Sequence, residues 1–128
     1  MMVYVDSSII LAELFSEDLR PAEALWSSQI ITSRLSEYEV WNRANAYGFS
    51  QGAEASINAI LDRFDFVELA PIMLARCKLP FSKPVRTLDA LHLSTCDYLR
   101  HLGQNLVLAS FDERMNAAAK SLGIPLYA

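Results

Sequence analysis

At 128 residues, 52% apolar and 20% charged with four glycines and five prolines, the chain predicts one folded domain over residues 1–128 and excludes two ordinary domains or a long disordered tail. Its net charge of −4 excludes a basic coat for unspecific nucleic-acid binding, so a local patch of cations is the remaining route to a polyanion. Cys77 and Cys96 form no CxxC pair, and the apolar start MMVYVDSSIILAELF lacks a basic leader region and carries Asp6 and Glu13; the expectation is reduced thiols, no signal peptide, no membrane span and a cytoplasmic protein.

Residues 2–5 (MVYV) form a short apolar run stopped by Asp6, the pattern of a buried strand, and Ser7 or Ser8 can cap a helix through Leu14 and Phe15. A second helix begins near Pro21, and QIIT at 29–32 reads as a strand followed by Ser33 as a cap. The next helix runs to about Tyr47, where Gly48 ends it. Ile57, Ile60, Leu61 and Phe64 then recur at helical spacing, and FDFVELA at 64–70 alternates as a strand does. Pro71 starts a short helix, and LPFSKPV, with Pro80 and Pro84, is a loop leading to RTLDALHL at 86–93. Leu88, Leu91, Leu99 and Leu102 predict the core-facing stripe of a helix ending at Gly103. NLVLAS is a strand stopping at Phe111 and Asp112; Met115, Ala118, Ala119 and Leu122 mark a last amphipathic helix before a short IPLY strand.

Strands that alternate with helices and are nearly all apolar predict a parallel sheet covered on both faces. In such sheets the ligand site lies beyond the carboxyl ends of the strands. Asp6 and Asp112 follow the first and fourth strands there, Glu39 lies two turns into the helix after the second, and Asp89 sits in the first turn of a helix whose start faces the same edge.

Each acid alone has an ordinary structural explanation: Asp6 as a turn or cap, Glu39 as the i,i+4 partner of Arg43, Asp89 as a charge favoured by the helix dipole, Asp112 as a cap. Together they carry more, because four carboxylates gathered in one place repel each other unless something neutralises them. Carboxylate oxygens without an imidazole or thiolate favour Mg²⁺ or Mn²⁺ over zinc. His92 and Cys96 share a helix face at i,i+4, and with no matching ligands elsewhere the pair reads as packing.

Other acidic α/β sites fail on the residues. A haloacid-dehalogenase-like phosphatase needs DxD after the first strand, and the chain has Asp6-Ser7-Ser8; an integrin-type DxSxS is broken at Ile10; a receiver domain needs an Asp ending the third strand, where FVELAPI has none. No glycine-rich phosphate loop, GxSxG elbow or Cys-His pairing occurs.

The pieces VDSS, SRLSEYE, RTLDALHL and SFDERM, in this order and spacing, resemble the PIN-domain ribonucleases, most closely the VapC-type toxins of toxin–antitoxin pairs. The likeness runs from Asp6 to AAAKSLGI, with RTLDALHL its most specific part. It implies a three-layer α/β/α domain with a central parallel sheet of strand order 3-2-1-4-5, and Mg²⁺ or Mn²⁺ held by Asp6, Glu39, Asp89 and Asp112. For the second acid, the family pattern S-x-L-x-x-x-E from Ser33 and Leu35 selects Glu39; Glu37 lies about 200° away around the helix. Ser7 and Ser110 resemble the small hydroxyl residues that support the site, Ser110 replacing a frequent threonine.

The resemblance further implies hydrolysis of RNA to 5′-phosphate and 3′-hydroxyl ends, a homodimer, and a VapB-like antitoxin that covers the acidic site. Arg76, Lys78, Lys83 and Arg86, around the loop before Asp89, are the candidate cations for the RNA backbone. Trp26, Tyr38 and Trp41 are candidate aromatic anchors for the antitoxin. The same acids would serve a housekeeping RNA-processing nuclease; a binding module that kept only the fold would be expected to lack one or two of them.

Overall fold

The computed structural model describes residues 1–48 and 50–128, the side chains of Ser50 and Gln51 excepted. Strand β1 (Met2–Val5) pairs in parallel with β2 (Gln29–Ser33) on one side and with β4 (Leu106–Ala109) on the other, and β3 (Asp65–Val67) adds in parallel to β2. The ladder order is β3-β2-β1-β4. Alternation along these strands assigns the two faces. Val3, Val5 and Ile30 point to one core, and Tyr4, Ile31, Leu106 and Leu108 to the other. The first face is covered by α1 (Ser7–Leu14), α2 (Glu23–Trp26), α3 (Arg34–Ala46) and α4 (Ser50–Leu61), the second by α6 (Thr87–His101) and α7 (Glu113–Ser121). Helix α5 (Pro71–Cys77) packs on α6 and buries Met73. The result is the expected three-layer α/β/α sandwich with a parallel sheet.

The expected fifth strand is reduced. Leu126 makes one parallel bridge to Leu108: Leu108 N donates to Pro125 O and Tyr127 N to Leu108 O, both at 2.8 Å. The segment therefore holds the fifth position, beyond β4, without extending into a ladder. Pro125 has no N–H to donate, which limits the pairing. Strand β3 is likewise shorter than FDFVELA, ending at Val67.

Helix α6 differs more from its expected packing. Leu88 is 47% exposed and Leu102 59%, while the buried stripe consists of His92, Leu93, Cys96 and Leu99. Leu102 is the C-cap, beyond the last turn, and Leu88 lies where the helix start meets solvent. Counting leucines therefore gives the wrong face: an imidazole and a thiol complete the real one. Gly103, with φ 90°, takes the left-handed conformation that stops this helix. Among the described residues no helix is long and apolar enough to cross a membrane.

Candidate active site

Strand β1 ends at Val5, and Asp6 leaves the sheet at its carboxyl edge as the N-cap of α1. The cap is thus the acid itself rather than Ser7 or Ser8. Asp6 Oδ1 accepts from Ser8 N at 3.0 Å and from Ser8 Oγ at 2.5 Å; Oδ2 accepts from Ser110 Oγ at 2.5 Å. Ser110, just past β4, also accepts from Asp112 N at 3.0 Å, and Ser8 Oγ accepts from Phe111 N at 2.9 Å. Two serines therefore join the turn after β1 to the turn after β4. The hydroxyl reaching Asp6 from the first turn is that of Ser8 rather than the Ser7 that the resemblance implies. Asp112 caps α7, accepting from the backbone N–H groups of Arg114 and Met115.

Helix α3 is set by Ser33, whose Oγ accepts from Leu35 N at 3.1 Å, and by Thr32, whose Oγ1 donates to Val5 O and lies 2.6 Å from Ser36 Oγ. Two turns on, Glu39 Oε1 lies 2.6 Å from His92 Nε2. Glu37 is instead engaged by Arg34, 3.2 Å away, which also holds Glu68. Glu39, Asp89 and Asp112 line one open cleft of about 730 Å³, together with Arg43, Arg86 and Arg114. Asp6 is 4% exposed. An apolar cavity of about 260 Å³ beside Phe111 and Tyr127 is lined by no acid.

Burial raises the Asp6 carboxyl above its ordinary value, against the opposing pull of its bonds to Ser110 and Ser8 and of His92. Asp89 is raised first by burial and then by the charges of Asp112 and Asp6, and more weakly by Glu39, with His92 opposing. The four acids thus share one electrostatic field. Among the described residues no three His, Cys, Asp or Glu side chains are drawn together tightly enough to clasp a metal ion. The acids lining the cleft nevertheless offer hard carboxylate oxygens, the donor type that Mg²⁺ and Mn²⁺ prefer. The repulsion of Asp89 by Asp112, Asp6 and Glu39 fits such a cation too.

Residues 3–121 match the PIN-domain family. The chain belongs to this family. It is 26% identical over 132 residues to Ribonuclease VapC35 of Mycobacterium tuberculosis (strain CDC 1551 / Oshkosh), covering 99% of this chain and 96% of that protein. Among solved structures it resembles M. tuberculosis VapC20, a sarcin-ricin loop cleaving toxin, with TM-score 0.67 and 22% identity over 91% of this chain and 94% of that one. It also resembles a toxin–antitoxin complex from Klebsiella pneumoniae, with TM-score 0.65 and 20% identity over 93% of each chain.

In this PIN domain the four candidate RNA-binding cations are dispersed. Arg86 lines the acidic cleft; Lys83 lines a neighbouring groove with Phe81; Lys78 is exposed at the end of α5. Arg76 is committed elsewhere, 3.7 Å from Asp97 and stacked 4.3 Å from the Phe81 ring centre. Arg43 and Arg114, which the sequence reading does not single out as cleft cations, join Arg86 there. Their signal is position: Arg43 is one turn after Glu39, and Arg114 is two residues after Asp112. Of the aromatic anchors, Trp26 packs edge-on against Phe64, Trp41 lies against the core, and Tyr38 alone is exposed, at 65%. His92 is packed in the core, as expected, yet it reaches the site through Glu39. Cys96 is buried, and burial pushes its thiol well up, so it stays protonated and inert.

Proposed function

We propose that this PIN domain is an endoribonuclease dependent on Mg²⁺ or Mn²⁺ and that it acts as the toxin of a toxin–antitoxin pair. The observation that carries the reading is the cleft in which Glu39, Asp89 and Asp112 face Arg43, Arg86 and Arg114 at the carboxyl edge of the sheet. Acids there suit a hard cation, and arginines beside them suit the phosphates of a nucleic acid, which acids alone would repel. The cleft is open, as a polymer substrate requires. Similarity to a protein named a ribonuclease and to a toxin that cleaves the sarcin-ricin loop supports RNA as that polymer.

Asp6, fixed by Ser8 and Ser110, together with Asp89 and Asp112 would hold the cation; Glu39 would join them or orient the water. When bound, a hard divalent cation supplies the positive charge that phosphodiester hydrolysis needs at the phosphate oxygens and at the attacking water. The three arginines hold the backbone on either side of the scissile bond, and the products carry 5′-phosphate and 3′-hydroxyl ends. The likeness to a toxin–antitoxin complex supports a VapB-like partner that covers this cleft. A homodimer belongs to the same reading.

The test uses purified protein and labelled cellular RNA. Cutting should require Mg²⁺ or Mn²⁺, stop with EDTA, leave ends that a ligase joins directly to a 3′-hydroxyl acceptor, and vanish with Asp6→Asn. Induction in cells should arrest growth, and co-expression of the small protein encoded beside the gene should relieve it. Cleavage that survives both EDTA and Asp6→Asn would overturn the assignment of the site.

A further inference from the structure

The imidazole of His92 is 1% exposed, in the stripe where α6 otherwise presents Leu93, Cys96 and Leu99 to the sheet. An apolar side chain would pack there without needing partners, whereas a buried imidazole must have both nitrogens satisfied. Both are. Nδ1 lies 2.8 Å from the Tyr4 hydroxyl, and Nε2 lies 2.6 Å from Glu39 Oε1. Tyr4 is fully buried in the middle of β1, two residues before Asp6, and burial holds its hydroxyl in the neutral form. The chain Tyr4–His92–Glu39 therefore runs from the central strand through α6 to the cleft wall on α3.

Donor chemistry sets the direction of this chain. A carboxylate oxygen accepts, so the short contact is made by an Nε2–H that donates to Glu39 Oε1, while Nδ1 pairs with the Tyr4 hydroxyl. A carboxylate on a helix surface normally samples several rotamers, and ordering it costs entropy. Here that ordering is built into the fold before any ligand arrives. We infer that His92, itself oriented by Tyr4, is a positioning residue that fixes Glu39 by one oxygen and leaves the other oxygen to serve the cleft.

The inference rests on the proposed nuclease reading for its kinetic test, and has a second test that does not. With the cation present, His92→Leu should lower single-turnover RNA cleavage by about 10–100-fold, the usual cost of losing a partner that orients a ligand. His92→Gln, which restores an N–H toward Glu39, should recover part of that loss, and the near-isosteric Tyr4→Phe should give a smaller loss with the fold retained at somewhat lower stability. In a Glu39→Gln background, His92→Leu should cost nothing further; an equal loss in both backgrounds overturns the inference.

Independently of activity, the chain has two histidines, so His101→Gln leaves His92 as the sole imidazole for long-range ¹H–¹⁵N spectra. The spectrum should show hydrogen on Nε2, and Glu39→Gln should shift that nitrogen. An Nε2 without hydrogen, or no response to Glu39→Gln, overturns it. Should the wild type cut no RNA, the proposed function falls while this spectrum still decides whether His92 holds Glu39.

Discussion

Ser110 Oγ donates to Asp6 Oδ2 across 104 residues of sequence, at 2.5 Å, and accepts from Asp112 N at 3.0 Å. One hydroxyl thus holds the side chain of the acid after β1 and the backbone of the acid after β4. Because Asp6 is buried and its carboxyl is already raised by burial, the Ser110 bond is the largest contribution that favours its ionised form. Ser110→Ala should weaken folding by about 1.5–3 kcal/mol, the range for hydrogen bonds to charged groups. It should also reduce cleavage, because a less ionised Asp6 holds a cation less well. Ser110→Thr keeps the hydroxyl and should retain both stability and cleavage. Chemical denaturation and single-turnover rates on the three proteins decide this.

Asp89 differs from the two acids that end strands. Asp6 and Asp112 are N-caps, so each has a structural task that asparagine can take over; α6 begins at Arg86 with no side-chain cap bond, and Asp89 merely lies in its first turn. Its contribution to the helix dipole, about 0.3–1 kcal/mol, is opposed by burial and by repulsion from Asp112 and Asp6. Asp89→Asn should leave the melting temperature of the metal-free protein unchanged or slightly raised, and lower cleavage by about 100-fold or more. A melting temperature that fell sharply would show that Asp89 serves the fold. Leu88 and Leu91 do not support this position from the core, since Leu88 is exposed and Leu91 only partly buried.

The layers are legible in the sequence because short, nearly all-apolar runs alternate with helical spacing, and Gly48, Gly103 and Gly123 mark the ends of three helices. Tyr4 between Val3 and Val5 is already the signature of a sheet with two covered faces. The acids are legible for the same reason, since strand ends and helix starts mark the edge where they gather. The details of their support are not. Ser7 and Ser8 are neighbours in one turn, and only the geometry of the Asp6 cap decides which hydroxyl faces Ser110. His92 at i,i+4 from Cys96 has the spacing of a core stripe whether or not its nitrogens bond to anything. Its link to Glu39 spans 53 residues and leaves no local pattern.

The raised carboxyls of Asp6 and Asp89 give a pH dependence of definite sign. For both, the folded state binds its proton more tightly than the unfolded chain, whose ordinary value is 3.8. As pH climbs from that value through the raised folded values, the native state must give up protons it holds more tightly than the unfolded chain does, and these two groups lower stability. Above that window the penalty is fully present. A cation that binds only ionised carboxylates should relieve it there. Added Mg²⁺ or Mn²⁺ should therefore raise the melting temperature at pH 7.5 and have little effect near pH 4, and Asp6→Asn should reduce the rise at pH 7.5. An equal rise at both values would place the ion elsewhere.

Glu37 and Glu39 stand on the same helix, and their partners separate their roles. Glu37 is held by Arg34, which stacks on Phe66 and shares Glu68 in a partly exposed cluster at the edge of β3. Arg34 gains its charge stabilisation first from Glu68, so loss of Glu37 leaves the cation paired. Glu39 instead lines the cleft and accepts from His92. Glu37→Gln should leave cleavage within about threefold of wild type, since exposed pairs contribute little. Glu39→Gln should abolish most cleavage and leave the melting temperature nearly unchanged, because the amide oxygen can still accept from Nε2. If the effects are reversed, with Glu37→Gln the inactive protein, the second acid of the site is Glu37, and the bond to His92 is a packing contact alone.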